Sequence, residues 1–585
     1  MIEKMTKYSF ILPAGEGEGF LETLAGLGVM DITRSFKPVD ERSEGMLADA
    51  AALKDRIATL EKDGYSSDSE YSAILQEKEI ASKALRERSE WGEFNSSDIE
   101  GLAENGVTVK LYEVPEKKFD PAWEENCVLE EISREGGKVR FAAAFPSGTE
   151  SPVPFKETPL PRKSIEAFNV ELAEIDAKLR ERELEIDEER KTLPEMKKKY
   201  GKILSDLDLY LAGVAKESAA EGHLELFTGF APTEGDAELQ EKLDEKGYFY
   251  LSESATAEDN PPIKLRNNAF ARNFESLTGM YGMPVYDEMD PTPILAPFFL
   301  LFFSMCMGDA GYGLLLIAVA FLFKNGVNIL GLGNHWRLIM MLGVGTTIVG
   351  FFLGTFFGIS LPDAAWVPQG AKDLMITGEI AGFNAQMVLA LAIGVFHICL
   401  AMVVKAIIFT RRFGLGKTIS TWGWVVLIVG GLTVGGFSLA GVLSARATKI
   451  AIIAVGVVSA LAIFIFNKPG RNPLINVGAG LWDTYGMVTG LAGDVLSYIR
   501  IFALGLAGGM LGSAFNSLAS MTLGSDPTWQ WIIFALIALV GHALNFAMCC
   551  LGAFVHPLRL NFLEFFKNSG YEGKGTKYSP ITNNN

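Results

Sequence analysis

The sequence predicts a two-part chain: N-terminal cytoplasmic α/β lobes joined by an antiparallel two-helix coiled-coil arm, then a C-terminal all-α membrane domain of about eight transmembrane helices. Three observations carry this. Charged, turn-rich sequence gives way near residue 290 to a series of long apolar runs. An apolar seam with alternating spacings of three and four runs through residues 165–210. The last two apolar runs, 485–521 and 529–566, are far longer than the roughly 20 residues a crossing needs, so those helices tilt or project from the bilayer.

The first part begins with a strand at 7–12, a helix at 19–27 and a second strand-like stretch at 29–32. Leu53, Ile57 and Leu60 open a helical pattern that Ile74, Ile80 and Leu85 resume. VTVKLYEV and KVRFAAAF, within 107–154, read as strands of a second lobe. The seam then runs from Ile165 to Tyr210, interrupted only at Arg182 and Glu189, and Pro194 is expected to kink it. Such a seam needs a helical partner, and the earlier helical stretch supplies one. LELFTGFAP and GYFYLS return to strand pattern and rejoin the first lobe. The expected organisation is a cytoplasmic part of 1–290, with a proximal lobe of 1–45 and 215–285, the arm of 46–100 and 160–214 and a distal lobe of 101–159, and a membrane part of 291–585.

In the membrane part the expected spans lie near 294–307, 311–323, 338–360, 387–409, 418–443, 450–466, 485–521 and 529–566. The first two are short and share the turn GDAGYG, so one kinked span or a re-entrant hairpin is the alternative. Lys324, Arg337, Arg411, Arg412, Lys417, Lys468, Arg471, Lys567, Lys574 and Lys577 concentrate in alternate loops, which places both termini in the cytoplasm.

Composition narrows the function. A net charge of −18 over 585 residues argues against nucleic acid as a partner. The five cysteines, Cys127, Cys306, Cys399, Cys549 and Cys550, form no CxxC pair, and the histidines show no ligand spacing, so neither a disulfide framework nor a metal site is expected. GLGKT at 414–418 ends like a phosphate-binding loop, but the required earlier glycine is Arg411.

The chemistry-bearing stretch is GDVLSYIRIFALGLAGGMLGSAFN, residues 493–516. An arginine in such a run costs about 2.5–3.5 kcal/mol, so Arg500 is a functional candidate by default, the alternative being a side chain that snorkels to an interface. Its helical face carries Gly493, Ser497, Ala503 and Ala507, a groove of small residues along which another helix can pass. Gly505/Gly509 and Gly508/Gly512 form small-residue pairs on other faces. In the last span, LGAFVHPLRLNFLEFF sets His556 and Arg559 three residues apart, with Asn545 and Gly552 on the same side, as a polar stripe along a water path requires. Asp494, Glu564, His397 and Asp309 are the further polar candidates; Asp494 marks a possible helix end, Glu564 an interface, Asp309 a turn, and His397 a packed residue.

Together with YGMPVYDEMDPTPILAPFFLLFFSMCMGDAGYG (281–313), FFLGTFFG and TGFAP, these motifs resemble the I subunit (subunit a) of bacterial and archaeal V-type and A-type ATPases and ATP synthases, along essentially the whole chain. The resemblance implies a membrane stator subunit with no ATP chemistry and no cofactor of its own. It implies that H⁺ or Na⁺ passes through half-channels set against the rotor c-ring of proteolipid subunits, and that the cytoplasmic arm binds peripheral stalk subunits of the E and G type. Arg500 corresponds to the family's essential arginine, Arg559 to its second arginine and His556 to the polar residue beside it. Ser497, Tyr498, Asn545 and His556 are the residues expected to line water paths. The chain departs from the eukaryotic pattern at Cys549, where those relatives carry glutamate. The implied location is a bacterial or archaeal plasma membrane. The alternatives are a stand-alone transporter with a cytosolic regulatory domain, against which the missing internal repeat counts, and a membrane scaffold whose arginines only brace packing.

Overall fold

The computed structural model describes residues 1–582 except 36, 63, 93, 95, 126, 150, 160–162, 326–334, 381, 468–472 and 523–528. Lys468 and Arg471 therefore lie outside the described residues. Up to residue 291 the chain order is β1 (Met5–Pro13), α1 (Gly17–Leu27), β2 (Asp31–Ile32), α2 (Glu41–Leu60), α3 (Ser69–Ser89), α4 (Ser96–Glu104), β3 (Val107–Pro115), β4 (Val128–Glu135), β5 (Lys138–Pro146), α5 (Ile165–Lys191), α6 (Leu193–Val214), β6 (Glu217–Ala219), β7 (Leu224–Pro232), α7 (Asp236–Glu245), β8 (Tyr250–Ser254) and α8 (Glu275–Tyr281). The chain forms two compact units: residues 13–28, 33–218 and 581–585, and residues 1–12, 29–32 and 219–580.

In the first unit the helices pair two by two, α2 with α6 and α3 with α5. Ala81 is buried with Ile175 and Leu179, flanked by Tyr71, Ile74, Leu75 and Leu172. Ion pairs fix the direction. Arg56 meets Glu189, Asp68 meets Arg182, and Lys78 meets Asp176, so one number falls as the other rises and the paired segments run antiparallel. The two residues that interrupt the apolar seam, Arg182 and Glu189, are both ion-paired across it. The seam is divided at Thr192, and Pro194 sits in the first turn of α6, where its missing N–H costs nothing. β3, β5 and β4 form an antiparallel sheet in that order, covering a core of Tyr112, Val114, Val139 and Phe141.

Asp68 is the polar hub of this unit. Its carboxylate caps α3 through the Tyr71 N–H (3.0 Å) and takes Arg56 (2.7 Å) and Arg182 (3.1 Å). Burial pushes its pKa up, but the hydrogen bonds from Arg182, Arg56 and Tyr71 outweigh burial and hold it below the usual carboxylate range. A lowered folded-state pKa gives stability that is complete above the unfolded value, about 4, and is lost as pH falls through the folded value. Asp68→Asn is therefore expected to destabilise by about 1–3 kcal/mol at neutral pH. The difference from wild type should shrink below about pH 4, as read by denaturant unfolding across the acid range.

In the second unit β2, β7, β1 and β8 form a sheet in that order. Register sets Asp31 opposite Phe230 and Phe10 opposite Tyr250. Alternate residues of β1, Tyr8, Phe10 and Leu12, are buried, as the two-residue strand period dictates. The helical part follows: α9 (Thr292–Met307), α10 (Ala310–Lys324), α11 (Trp336–Leu353), α12 (Gln369–Lys372), α13 (Ala385–Phe413), α14 (Leu415–Val425), α15 (Gly431–Leu439), α16 (Ala445–Ala460), α17 (Pro473–Ser497), α18 (Ile499–Ser520), α19 (Gln530–Arg559) and α20 (Phe566–Ser569). Among the described residues six helical segments are long and apolar enough to cross a membrane: Trp336–Leu353, Ala385–Phe413, Leu415–Leu439, Ala445–Ile465, Ile475–Ser520 and Gln530–Ser569. α9 and α10 are apolar but shorter. The last two segments have 46 and 40 residues, so both exceed one crossing, as the sequence predicts.

The last two segments are each modified internally. Tyr498 separates α17 from α18, and a widened π-type turn at Leu560–Phe565 joins α19 to α20. Glycines set the close crossings of α18. A Cβ at Gly505 would stand 2.6 Å from the Met305 carbonyl oxygen of α9, and one at Gly508 2.7 Å from the Cys549 Sγ of α19. Gly508→Val should therefore cost about 1–3 kcal/mol by overpacking, read as a fall in thermal stability of the purified chain in detergent.

Candidate functional site

Arg500 lies in the first turn of α18, just past the break at Tyr498. At the break Tyr498 points inward. Its ring is fully buried against Phe302, and its hydroxyl lies 2.9 Å from His397 Nδ1. A Cβ at Gly394 would stand 2.3 Å from that ring, so α13 needs glycine there. With Tyr498 turned inward, Arg500 is exposed, as are Gly493, Ala503 and Ala507, while Ser497 is half-buried. A side chain added at Gly493 would meet nothing. The result is a cation on an open strip of small residues.

α19 brings up the second half of the site. His556 is buried and Arg559 exposed. The charges of Arg500 and Arg559 both act on His556, which also faces the Ser497 backbone. Ser497 donates its hydroxyl to the Gly493 carbonyl (3.1 Å) and faces the Glu564 carboxyl. Glu564 also feels the charges of Asp494 and Arg559. Asp494 is held by Lys567 (3.4 Å) and by Asn568 Nδ2 (2.8 Å). Neither Arg500 nor Arg559 has an ion-pair partner among the described residues. Three buried polar atoms, His556 Nε2, Asn561 Oδ1 and Glu564 Oε2, have no hydrogen-bond partner among them either. Leaving such an atom unsatisfied costs about 1–3 kcal/mol, so these three atoms call for water or a polar partner.

Further along α19 a second polar network crosses the helices. Asn545 Nδ2 donates to the Tyr312 hydroxyl (2.8 Å) and the Gly508 carbonyl (2.9 Å). Tyr312 meets His542 Nδ1 (2.9 Å), and His542 Nε2 meets Asn516 Oδ1 (2.9 Å). Cys549 donates weakly to Asn545 Oδ1 (3.4 Å).

Residues 163–345 match the family model described as the V-type ATPase 116kDa subunit family. An A-type ATP synthase subunit I from Methanocaldococcus jannaschii is 33% identical over 377 residues, 59% of this chain and 52% of that protein. One from Pyrococcus abyssi is 32% identical, over 57% and 49%. The chain thus aligns with about half the length of these archaeal relatives. A V-type ATP synthase subunit I from Borreliella burgdorferi is 25% identical over 623 residues, 99% of each chain. This chain is similar to subunit I proteins of A-type and V-type ATP synthases. Six of its described helical segments are long and apolar enough to cross a membrane, and both regions identified from its motifs, the one around 281–313 and the one around Arg500, fall inside the Borreliella alignment.

Of the residues singled out in the sequence, the fold brings Arg500, Arg559, His556, Ser497, Asp494 and Glu564 together. Tyr498 and His397 form a separate buried pair, the His397 ring stacked 4.6 Å from Phe565. Asn545 belongs to the second network. Asp309 caps α10 and accepts from four backbone N–H groups, those of Gly311, Tyr312, Phe357 and Gly358. Sequence reasoning missed His542, Tyr312, Asn516 and Asn561. His542 had a readable signal, since it lies three residues before Asn545 and shares its helical face.

Proposed function

We propose that this chain is the stator subunit of a rotary V/A-type ATPase, carrying H⁺ or Na⁺ past a rotor ring and performing no ATP chemistry itself. The observation that carries this reading is Arg500, unpaired among the described residues and exposed on a strip of small residues beside buried His556. A rotor carboxylate in lipid is stable only when neutralised by its ion. When it passes along the strip and meets Arg500, the guanidinium favours the ionised form and the ion is released. The Arg500 charge also blocks a cation from leaking directly between the two access paths.

Glu564, Ser497, Asn561 and His556 form the wet path at one end, where their open hydrogen-bonding capacity is met by water. The Asn545, Tyr312, His542 and Asn516 network lies on the path at the other end. The eight-helix reading, with α9 and α10 as a short hairpin, places both termini in the cytoplasm of a bacterial or archaeal cell. The antiparallel helices α2–α3 and α5–α6 serve as a coiled-coil arm that peripheral stalk subunits of the E and G type grip, resisting rotor torque. The layout proposed from the sequence, a cytoplasmic 1–290 and a membrane 291–585, fits this division of labour.

The test is ion uptake into vesicles. The assembled complex should accumulate one of H⁺ or Na⁺ on addition of ATP, while this chain alone in vesicles should pass neither. Uptake by the chain alone would mean a stand-alone transporter and would overturn the reading.

A further inference from the structure

We infer that a basic recess where α11 begins binds the phosphate of an anionic lipid headgroup. The recess, a cavity of about 540 Å³, is lined by Arg272, Arg337, Lys577, His335, Asn273 and Glu275, among others. It joins three parts of one unit: the short helix Ala271–Phe274 with α8, the start of α11, and the C-terminal segment after α20. That segment is fixed in place, because Tyr578 N–H bonds to the Ile263 carbonyl (3.0 Å) and Ile263 N–H to the Thr576 carbonyl (2.7 Å). Lys577 is therefore held at the recess by the bonded residues on either side of it.

The charge of the recess opposes that of the chain. The whole protein carries −18, yet here three cations face one carboxylate among the described residues. None of the three is in an ion pair among the described residues. The one acid, Glu275, already accepts from Asn267 Nδ2 (3.0 Å), and Arg272 spends a single contact on the Asn267 carbonyl (3.4 Å). Unpaired cations facing a common space repel one another, so an anion that fills it gains from all three. Arginine's planar fork suits phosphate oxygens, and the N–H groups that open an 18-residue helix add to the attraction.

The position selects a lipid over a free anion. α11 is apolar enough to cross a membrane, so its first residues lie at headgroup level. Trp336, the kind of residue that marks that level, has Lys324 Nζ 5.6 Å and the Arg337 guanidinium 5.4 Å from its ring. This site is separate from the strip around Arg500 and does not depend on its role.

The test is native mass spectrometry of the delipidated full chain in detergent, titrated separately with phosphatidylglycerol, phosphatidylcholine and inorganic phosphate. Wild type should bind phosphatidylglycerol at least about tenfold more tightly than the Arg272→Gln/Arg337→Gln/Lys577→Gln variant. Phosphatidylcholine and inorganic phosphate should bind more weakly than phosphatidylglycerol. Should the triple variant not fold, Lys577→Gln alone, at an exposed position, should weaken binding about threefold, and raised NaCl should weaken the wild type further. Equal lipid binding by wild type and variants overturns the proposal. Tighter binding of inorganic phosphate than of the lipid assigns the recess to a soluble anion and overturns it as well.

Discussion

Vesicles carrying the complex with Arg500→Ala are expected to show no ATP-driven ion uptake above background, while the complex still assembles. The two halves of that expectation have different causes. Arg500 is exposed and unpaired among the described residues, so truncating it removes no packing and breaks no ion pair. Surface changes of this kind alter stability by about 0.5 kcal/mol or less. The loss of transport follows from the charge. On the proposed function, without it nothing would favour the ionised rotor carboxylate at that station, and nothing would oppose a cation slipping between the access paths. Arg500→Lys keeps a charge but replaces a planar fork with a point charge on a flexible stem, so partial uptake with increased leak is expected. Normal uptake by an assembled Arg500→Ala complex would show the arginine to be structural.

Asp309→Ala should be the most destabilising single truncation in the helical part. One carboxylate, 1% exposed, accepts from Gly311 (2.8 Å), Tyr312 (3.2 Å), Phe357 (2.8 Å) and Gly358 (2.7 Å). Two of these donors begin α10 and two belong to the turn after α11, so the acid ties the two segments together. Removing it strands up to four buried N–H groups at about 1–3 kcal/mol each, and a loss of at least about 3 kcal/mol is expected after relaxation. Thermal unfolding of the purified chain in detergent measures this. Asp309→Asn keeps one acceptor but turns an NH₂ toward donors, so it should fall between alanine and wild type. An alanine variant as stable as wild type would mean that Asp309 is not the anchor, and would return it to the candidates for ion transfer.

Arg500 stood out in the sequence because a charge inside a long apolar run calls for a partner, an interface or a role. The small face around it was legible because helical spacing alone decides which residues share a side. The antiparallel pairing of α2–α3 with α5–α6 was foreshadowed by the seam, and even its flaws carried information, since Arg182 and Glu189 interrupt it only to make ion pairs across it. What stayed hidden depends on distant segments meeting. The Tyr312, His542, Asn516 and Asn545 network joins α10, α18 and α19, and no local pattern announces it. Tyr498 looked like a neighbour of Ser497 on a continuous helix. Its ring instead meets His397 of α13, a contact that no local spacing announces.

The widened turn at Leu560–Phe565 shows that phase, as well as residue identity, matters here. Each residue advances an α-helix by about 100°, and a single widened turn offsets everything after it relative to an unbroken helix. His556 and Arg559 stand before the turn, Glu564 within it, and Lys567 and Asn568, which hold Asp494, after it. The turn thus works as a rotary offset between the two ends of the polar row. Deleting one residue inside it would keep every functional side chain in the sequence yet swing Lys567 and Asn568 away from Asp494. Chains of this kind are therefore comparable at this site only when their helical angles, and not only their aligned letters, agree.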